Sequence, residues 1–297
     1  MNTHYEPSGN IDLARTAIGI LITMVLIIPV SFLYNAIISV IPILYLAVVA
    51  PIGYGLLLGL IVRLVLHFGK FRSRQKGFAV AIFLGLAANY TQWMAYLDFV
   101  YVQDVKLYFG SYLSTLFGGL GIVDSLRIVG EINEYGTWSL GMSSQTPVNG
   151  WLLTVIWILE FAVILIYPLV TIRSRRIQPF SEEQNKFYDQ YTLENIFKAF
   201  YTSGKAEAAL KENPLDYLKS IDLATNYPGS RVEIFQLPNE AYAFISISRV
   251  TVRSGADQKG KETVVPIVDR FRISNADAKQ ILAEYVNAKD RLTIFSD

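Results

Sequence analysis

The chain has 297 residues, 52% of them hydrophobic and only 17% charged, against about a quarter charged in soluble domains. That composition excludes an ordinary soluble enzyme, and its hydrophobicity excludes a disordered chain. Twenty-six Lys and Arg against 25 Asp and Glu leave a formal charge of +1, so no basic field points to nucleic acid as a partner. With no Cys, and His only at His4 and His67, disulfides, thiolate chemistry and Cys/His metal centres drop out, and no metal or cofactor is expected.

From Thr16 to Val62 there is no charged residue and no His. As one helix that run would measure roughly 70 Å, more than twice the thickness of a hydrocarbon core, so it must fold back once. Ser31, Tyr34 and Asn35 put polar atoms in the stretch Ser31–Ser39, which places the reversal there, between a first span at about 13–33 and a second at about 41–67. Pro42 suits the start of the second span and Pro51 lies inside it, where proline bends a helix. A cleaved signal is disfavoured by a poor basic n-region, no small-residue cleavage motif and an apolar run that continues too long.

The third span is read at 77–97, closed by Asp98, and the fourth at 151–172, whose single charge is Glu160. Leu107–Val123 is also free of charge but carries Gly110, Gly118, Gly119 and Gly121. Its length is at the lower limit for a span. Lys70, Arg72, Arg74 and Lys76 follow span two, and Arg173, Arg175 and Arg176 follow span four. Excess Lys and Arg mark the cytoplasmic side, and both clusters fall there only if an even number of crossings separates them. Leu107–Val123 is therefore expected to be interfacial or re-entrant, within an exterior loop 98–150 that holds Asp98, Asp104, Asp124, Glu131 and Glu134. Trp93, Tyr96 and Trp151 sit at the expected outer boundary, where aromatic rings favour the headgroup zone. The reading is a four-helix membrane region, 1–176, with both termini cytoplasmic.

Pro7-Ser8-Gly9 ahead of span one, Gly69-Lys70-Phe71-Arg72 after span two, Tyr135-Gly136-Thr137-Trp138 in the outer loop and Trp157-Ile158-Leu159-Glu160 in span four together resemble an uncharacterised family of bacterial multi-span membrane proteins. The resemblance covers roughly residues 1–175. It implies a bacterial inner-membrane protein and no particular activity.

Glu160 lies about 18 Å from the cytoplasmic end of its span and about 14 Å from the outer end. An acid near the midplane costs about 2.5–3.5 kcal/mol on insertion scales and marks a candidate site. The same depth on span three falls at Asn89 and Tyr90, so a polar site of Glu160, Asn89 and Tyr90 is expected, with one of the latter two hydrogen-bonded to Glu160. Two readings stay open there: a protonated carboxyl that glues helices together, or a proton or cation site. Gly77, Ala81, Gly85 and Asn89 recur at four-residue spacing, and Gly55 and Gly59 form a second small-residue pair; such faces let helices approach closely. Arg63 can snorkel to the headgroups, and His67 reads as interfacial. Lys70, Arg72, Arg74, Lys76, Arg173, Arg175 and Arg176 are candidate contacts to anionic lipid, with a docking surface for the C-terminal domain as the rival. Trp138 beside the Gly136 turn is expected to be an interfacial anchor.

After Arg176 the composition becomes charged and turn-rich, and 177–297 reads as a small cytosolic α+β domain. Ser181-Glu182-Glu183-Gln184 has the capping-box pattern of a helix start. Leu193, Ile196, Phe197 and Phe200 suggest a second helix, and Asn213-Pro214 opens a third, through Ile221. Tyr227-Pro228-Gly229 is a turn. Arg231–Leu237, Ala241–Arg253 and Glu262–Ser274 have strand character, the last two joined by 254–261, with Pro266 at an edge or bulge. Ser274–Asp277 caps a closing helix bearing Ile281, Leu282, Tyr285 and Val286 on one face. No His lies in this domain, and no Walker loop, dinucleotide fingerprint or calcium loop is present, so no catalytic residue is assigned. Arg249, Arg253, Arg270 and Arg272 could form an anion patch, or a solvated strand face paired with Asp269. The favoured function is a membrane-anchored binding, scaffold or sensor module, with the bilayer and a protein bound by the C-terminal domain as partners. A small transporter or channel subunit built on Glu160 and Asn89, enclosed by homo-oligomerisation, is the alternative.

Overall fold

The computed structural model describes residues 3–40, 44–102, 108–119, 121–136, 147–173, 177–193, 195–198, 203–225, 228–253 and 261–285. The chain divides into two compact units: Gly9–Ile177, which is helical, and Gln178–Asp297 together with Met1–Ser8. A boundary at 176/177 thus leaves out one piece, because the first eight residues belong with the C-terminal unit.

The helical unit contains α1 (Leu13–Val40), α2 (Leu44–Phe68), α3 (Arg74–Leu97), α4 (Phe109–Ser114), α5 (Ile122–Tyr135) and α6 (Gly150–Arg173). Four of these, α1, α2, α3 and α6, are long and apolar enough to cross a membrane, by length and composition. Their outward faces carry large apolar side chains, such as Leu21, Val25, Leu60, Leu64, Ile158 and Leu159, at 59–68% exposure, as expected of helices whose solvent is itself apolar.

The reversal expected at Ser31–Ser39 does not occur there, since α1 stays helical to Val40. Its polar residues are satisfied without breaking the helix. Asn35 donates from Nδ2 to the carbonyls of Ser31 (3.0 Å) and Gln92 (2.9 Å), while Ser31 Oγ bonds Tyr54 Oη (2.7 Å) and Thr91 Oγ1 (2.8 Å). Pro42, expected at the start of the second span, lies outside the described residues.

Small residues set the packing of α6. A Cβ on Gly55 would lie 3.1–3.2 Å from Tyr167 and the Val163 carbonyl, one on Gly59 2.7 Å from Thr171 Oγ1, and one on Gly85 2.8 Å from Leu165 Cδ1. The glycine faces of α2 and α3 are therefore both covered by α6. Ser73 caps α3, its Oγ accepting from the Lys76 amide at 3.3 Å.

Past α3 the helix widens into a π-helical turn, Asp98–Val102, and a second such turn, Thr115–Gly119, comes after α4. Within Leu107–Val123 the described helical stretch before Ile122 is six residues of α4 plus this turn, too short to cross a hydrocarbon core. Asp98, expected as a loop charge, is buried at 2% exposure and accepts from Ser111 Oγ and Thr115 Oγ1, both at 2.7 Å. This pins α4 against the end of α3, with Tyr112 buried on Phe32.

The C-terminal unit contains β1 (Phe180–Ser181), β2 (Lys186–Phe187), β3 (Asp189–Thr192), α7 (Ser203–Glu212), α8 (Pro214–Lys219), β4 (Gly229–Gln236), β5 (Tyr242–Arg253), β6 (Lys261–Ser274) and α9 (Asn275–Tyr285). β1 and β2 pair in a small antiparallel sheet, and the main antiparallel sheet runs β3-β4-β5-β6. The expected meander has three strands; the fourth is β3, at the other edge.

Ser181–Gln184 opens no helix. The Gln184 amide does donate to Ser181 Oγ at 3.0 Å, but the bond closes the β1–β2 hairpin turn. Leu193 and Phe197, expected on a helix, are extended: the Leu193 amide donates to the Val232 carbonyl, and Phe197 bridges to Ser230 and Leu223. Both side chains enter the core between the sheet and α7, α8 and α9. α7 is absent from the sequence expectations. Gly229 begins β4 against Ile196, where a Cβ would sit at 2.3 Å.

Asn213 and Pro214 open α8, with Asn213 Oδ1 accepting from the Asp216 amide. Ser274 opens α9, its Oγ accepting from the Asp277 amide. Pro266 lies beside register shifts in the β5–β6 pairing, as a residue without a donor requires. The far edge of β6 is taken by Thr3–Tyr5, ahead of α1. Tyr5 donates to the Arg270 carbonyl (3.0 Å), Arg272 donates to the Thr3 carbonyl (2.8 Å), and His4 bridges to Phe271.

Candidate polar site in the helical unit

Glu160 stands near the middle of α6, and its Oε1 accepts a 2.5 Å hydrogen bond from Tyr34 Oη of α1. Neither Asn89 nor Tyr90 fills that role. Asn89 Nδ2 is bonded to the Gly85 carbonyl one turn back on its own helix (3.0 Å), and Tyr90 is 46% exposed, on the outward face of α3. Asn89 is nonetheless buried, and its Oδ1 has no hydrogen-bond partner among the described residues.

Behind Tyr34 the polar side chains connect. Its ring stacks on Tyr54 of α2 at 4.9 Å and 23°. Tyr54 Oη meets Ser31 Oγ, which in turn meets Thr91 Oγ1 of α3. Thr91 is also bonded to the Ala87 and Ala88 carbonyls. One network thus ties all four long helices together where buried hydroxyls would otherwise lack partners, a costly state in a low-dielectric interior.

A small cavity of about 40 Å³ opens beside this network. α1 contributes Asn35 and Ile38, α3 contributes Gln92, Trp93 and Tyr96, and α6 contributes Ile156, Trp157 and Glu160. Gln92 is 3% exposed. Among the described residues its amide group makes no hydrogen bond, and Glu160 Oε2 takes none either. Trp93 packs edge-on against Trp157 at 5.1 Å and against Tyr96 at 5.7 Å. Trp93 and Tyr96, expected as boundary anchors, line the cavity together with Trp157, whereas Trp151 is an outward-facing ring at 78% exposure. Gln92, Tyr34 and the Trp93–Trp157 pair are the members that sequence reasoning missed. The one usable signal was the i, i+3, i+4 spacing of Ser31, Tyr34 and Asn35, a polar stripe on an otherwise apolar helix.

The cationic residues separate by burial. Arg74, Lys76 and Arg173 are exposed, whereas Lys70 and Arg72 are buried, so the last two do not serve as free headgroup contacts. Arg72 donates to the Asn10 carbonyl from both its amide (3.1 Å) and its Nε (3.2 Å). Lys70 sits at φ 50° in the tight turn after α2. Burial and the neighbouring Arg15 guanidinium lower the pKa of its ammonium, partly offset by Asp12. Arg175, Arg176, Thr137 and Trp138 lie outside the described residues.

The C-terminal unit has its own cavity, of about 420 Å³, lined among others by Tyr5, Glu6, Tyr188, Glu240, Tyr242 and Arg272. Much of its charge is internally matched. Glu240 accepts from Ser181 and Glu182 from Ser8, and the Arg272 guanidinium lies 4.8 Å over the Tyr242 ring. Burial and Glu240 push the Tyr188 hydroxyl pKa upward. Of the two readings of the strand arginines, an anion patch is not formed by Arg249, Arg270 and Arg272, the three whose side chains are described. Arg272 pairs opposite Phe244, and Arg249 lies five residues further along the unbulged β5, so the two project from opposite faces. Arg270 is turned aside at φ 49° and bonded to Asp269. The Arg253 side chain is not among those described.

Comparison of the chain with protein-family models, with curated proteins and with solved structures returns no match. The functional reading accordingly rests on the geometry of the chain itself.

Proposed function

We propose that this chain is an integral membrane protein of the bacterial inner membrane. In this reading it acts as a membrane-anchored ligand-binding or sensor module whose ligand site is the cavity beside Glu160. The observation that carries the reading is that Glu160 and the buried Gln92 line one cavity, while Glu160 Oε2 and the Gln92 carboxamide have no hydrogen-bond partner among the described residues. Polar groups that are unpaired within the chain and reachable from a cavity can take an external partner, and two at one opening can take it together. Polar groups within a membrane-spanning bundle are costly, and their usual reason to persist is function.

Two features support four crossings with both termini cytoplasmic. Residues 3–5 add to the edge of β6, so the chain leaves the C-terminal unit before α1 and returns to it after α6. A single folded unit lies on one side of a bilayer, which requires an even number of crossings. The Lys and Arg that come after α2 and α6 favour the cytoplasm for that side. The C-terminal domain is then the part that meets a protein partner.

The test is modification of the full chain in lipid vesicles by dicyclohexylcarbodiimide, a lipid-soluble reagent for carboxyls in apolar surroundings, with the adduct mapped by mass spectrometry. Labelling at Glu160, absent in Glu160→Gln, is the expected result; an unlabelled Glu160 in intact vesicles rejects an open site. A transport reading rests on the same cavity and differs by one measurement, a flux across sealed proteoliposomes that Glu160→Gln abolishes.

A further inference from the structure

Taking the cavity beside Glu160 as a ligand site, we infer that its ligand is a small protonated amine, held by its ammonium head. The choice rests on the chemistry of the walls. In its ionised form Glu160 offers a negative charge at Oε2, and Gln92 offers a carboxamide oxygen, two acceptors with no donor assigned to them among the described residues. An ammonium head supplies N–H donors for both and neutralises the carboxylate, which a neutral alcohol cannot do. Among the described residues no Lys, Arg or His lines the cavity, so nothing in that wall competes for the charge.

Three of the remaining lining residues are aromatic. Trp93 and Trp157 meet edge to face at 5.1 Å, with Tyr96 beside Trp93 at 5.7 Å. Indole faces attract cations through the ring quadrupole, most strongly when the cation is desolvated. An anion is opposed by an ionised Glu160, and a hydrated metal ion is poorly served by one carboxylate, the two carboxamides of Asn35 and Gln92 and three rings, since hard cations demand about six or more oxygens. The partly open space of about 40 Å³ suits an ammonium head with a short alkyl stub. Ile38 and Ile156 line the same cavity and take the hydrocarbon part.

Tyr34 acts here as a positioning residue. Its hydroxyl occupies Oε1, leaving Oε2 for the ligand, and its stacking on Tyr54 holds the hydroxyl in place. Gln92 is held by the helix that carries it, its backbone carbonyl accepting from Asn35.

The experiment uses the full chain in lipid vesicles and the rate of carbodiimide modification at Glu160, with propylammonium as probe and 1-propanol as its neutral isostere. The reagent consumes the acid form of the carboxyl, and a bound ammonium holds the carboxylate form. Saturating propylammonium is expected to slow modification about tenfold or more, while 1-propanol at the same concentration leaves the rate within about twofold. Gln92→Leu keeps Glu160 and removes the amide acceptor; more propylammonium is then needed for the same protection. Tryptophan fluorescence gives an independent readout, changing with propylammonium in the parent chain and not in Glu160→Gln. Equal protection by amine and alcohol, or labelling that neither slows, overturns the amine assignment while leaving an open site in place. Failure of Glu160 to label at all rejects the open site, and a fluorescence titration that shows no saturable change with propylammonium then rejects the amine as well.

Discussion

Tyr34 and Glu160 lie 126 residues apart in sequence and share a 2.5 Å hydrogen bond that joins α1 to α6. Because Tyr34 also stacks on Tyr54, Tyr34→Phe removes the hydroxyl and keeps the ring. A double-mutant cycle with Glu160→Gln isolates the bond. The expected coupling is about 0.6–2 kcal/mol, the range found for hydrogen bonds between membrane helices. Thermal unfolding of the purified chain in detergent measures it, and additive single-mutant effects would count against the pairing.

Gly59 makes a second, sharper test of helix approach. A Cβ there falls 2.7 Å from Thr171 Oγ1, whereas one on Gly53 meets nothing within 4 Å. Gly59→Val is expected to destabilise the helical unit by about 1–3 kcal/mol through overpacking. Gly53→Ala is expected to stay within about 0.5 kcal/mol of the parent. Equal effects at the two positions would mean that α2 and α6 do not meet through Gly59.

The crossing number is testable without any background mutation, because the chain contains no Cys. Single cysteines at Ser8 and Lys279 are expected to react with an impermeant maleimide from the same face of sealed vesicles. One at Tyr135, 78% exposed, reacts from the other. Opposite-face labelling of Ser8→Cys and Lys279→Cys rules out the four-span arrangement.

The N-terminal strand can be broken at a single atom. Tyr5→Pro deletes the N–H that donates to the Arg270 carbonyl. Tyr5 also packs edge-on against Phe244 at 5.3 Å, so Tyr5→Phe serves as the control that keeps both ring and amide. The Arg272 amide, which donates to Thr3, is expected to exchange about tenfold faster or more in Tyr5→Pro, a loss of about 1.4 kcal/mol or more. Unchanged exchange would mean that Thr3–Tyr5 does not protect the β6 edge.

Much of the helical unit is legible from the spacing of charges, since Arg15 and Arg63 bracket an apolar run whose length forces a reversal. The position of that reversal is not legible. Ser31 and Asn35 look like loop residues when their partners are unknown, and those partners, Tyr54, Thr91 and the Gln92 carbonyl, come from other helices. Glu160 is readable as the lone acid of its span, but its partner is not, because depth along an axis says nothing of which way a side chain faces. Asn89 lies at a suitable depth and is bonded to its own helix; Tyr90 turns outward. In the C-terminal unit, Ser181 and Gln184 form the bond that their pattern predicts, and that bond serves a hairpin turn as well as a helix cap. The residues just after Gln184 decide between the two, because Lys186 and Phe187 pair back on Ser181 and Phe180. The strands β4, β5 and β6 announce themselves by composition alone, but the edge filled by His4 does not, since its partner Phe271 lies at the opposite end of the sequence.

That closing strand has a consequence for biosynthesis. Thr3 to Tyr5 leave the ribosome ahead of α1, yet the edge they dock on is made only when β6 has been translated. That segment must therefore wait, unpaired, until all the long helices have been made, and the domain finishes folding by capturing a strand translated long before. A bulky group fused immediately ahead of Thr3 would crowd that edge.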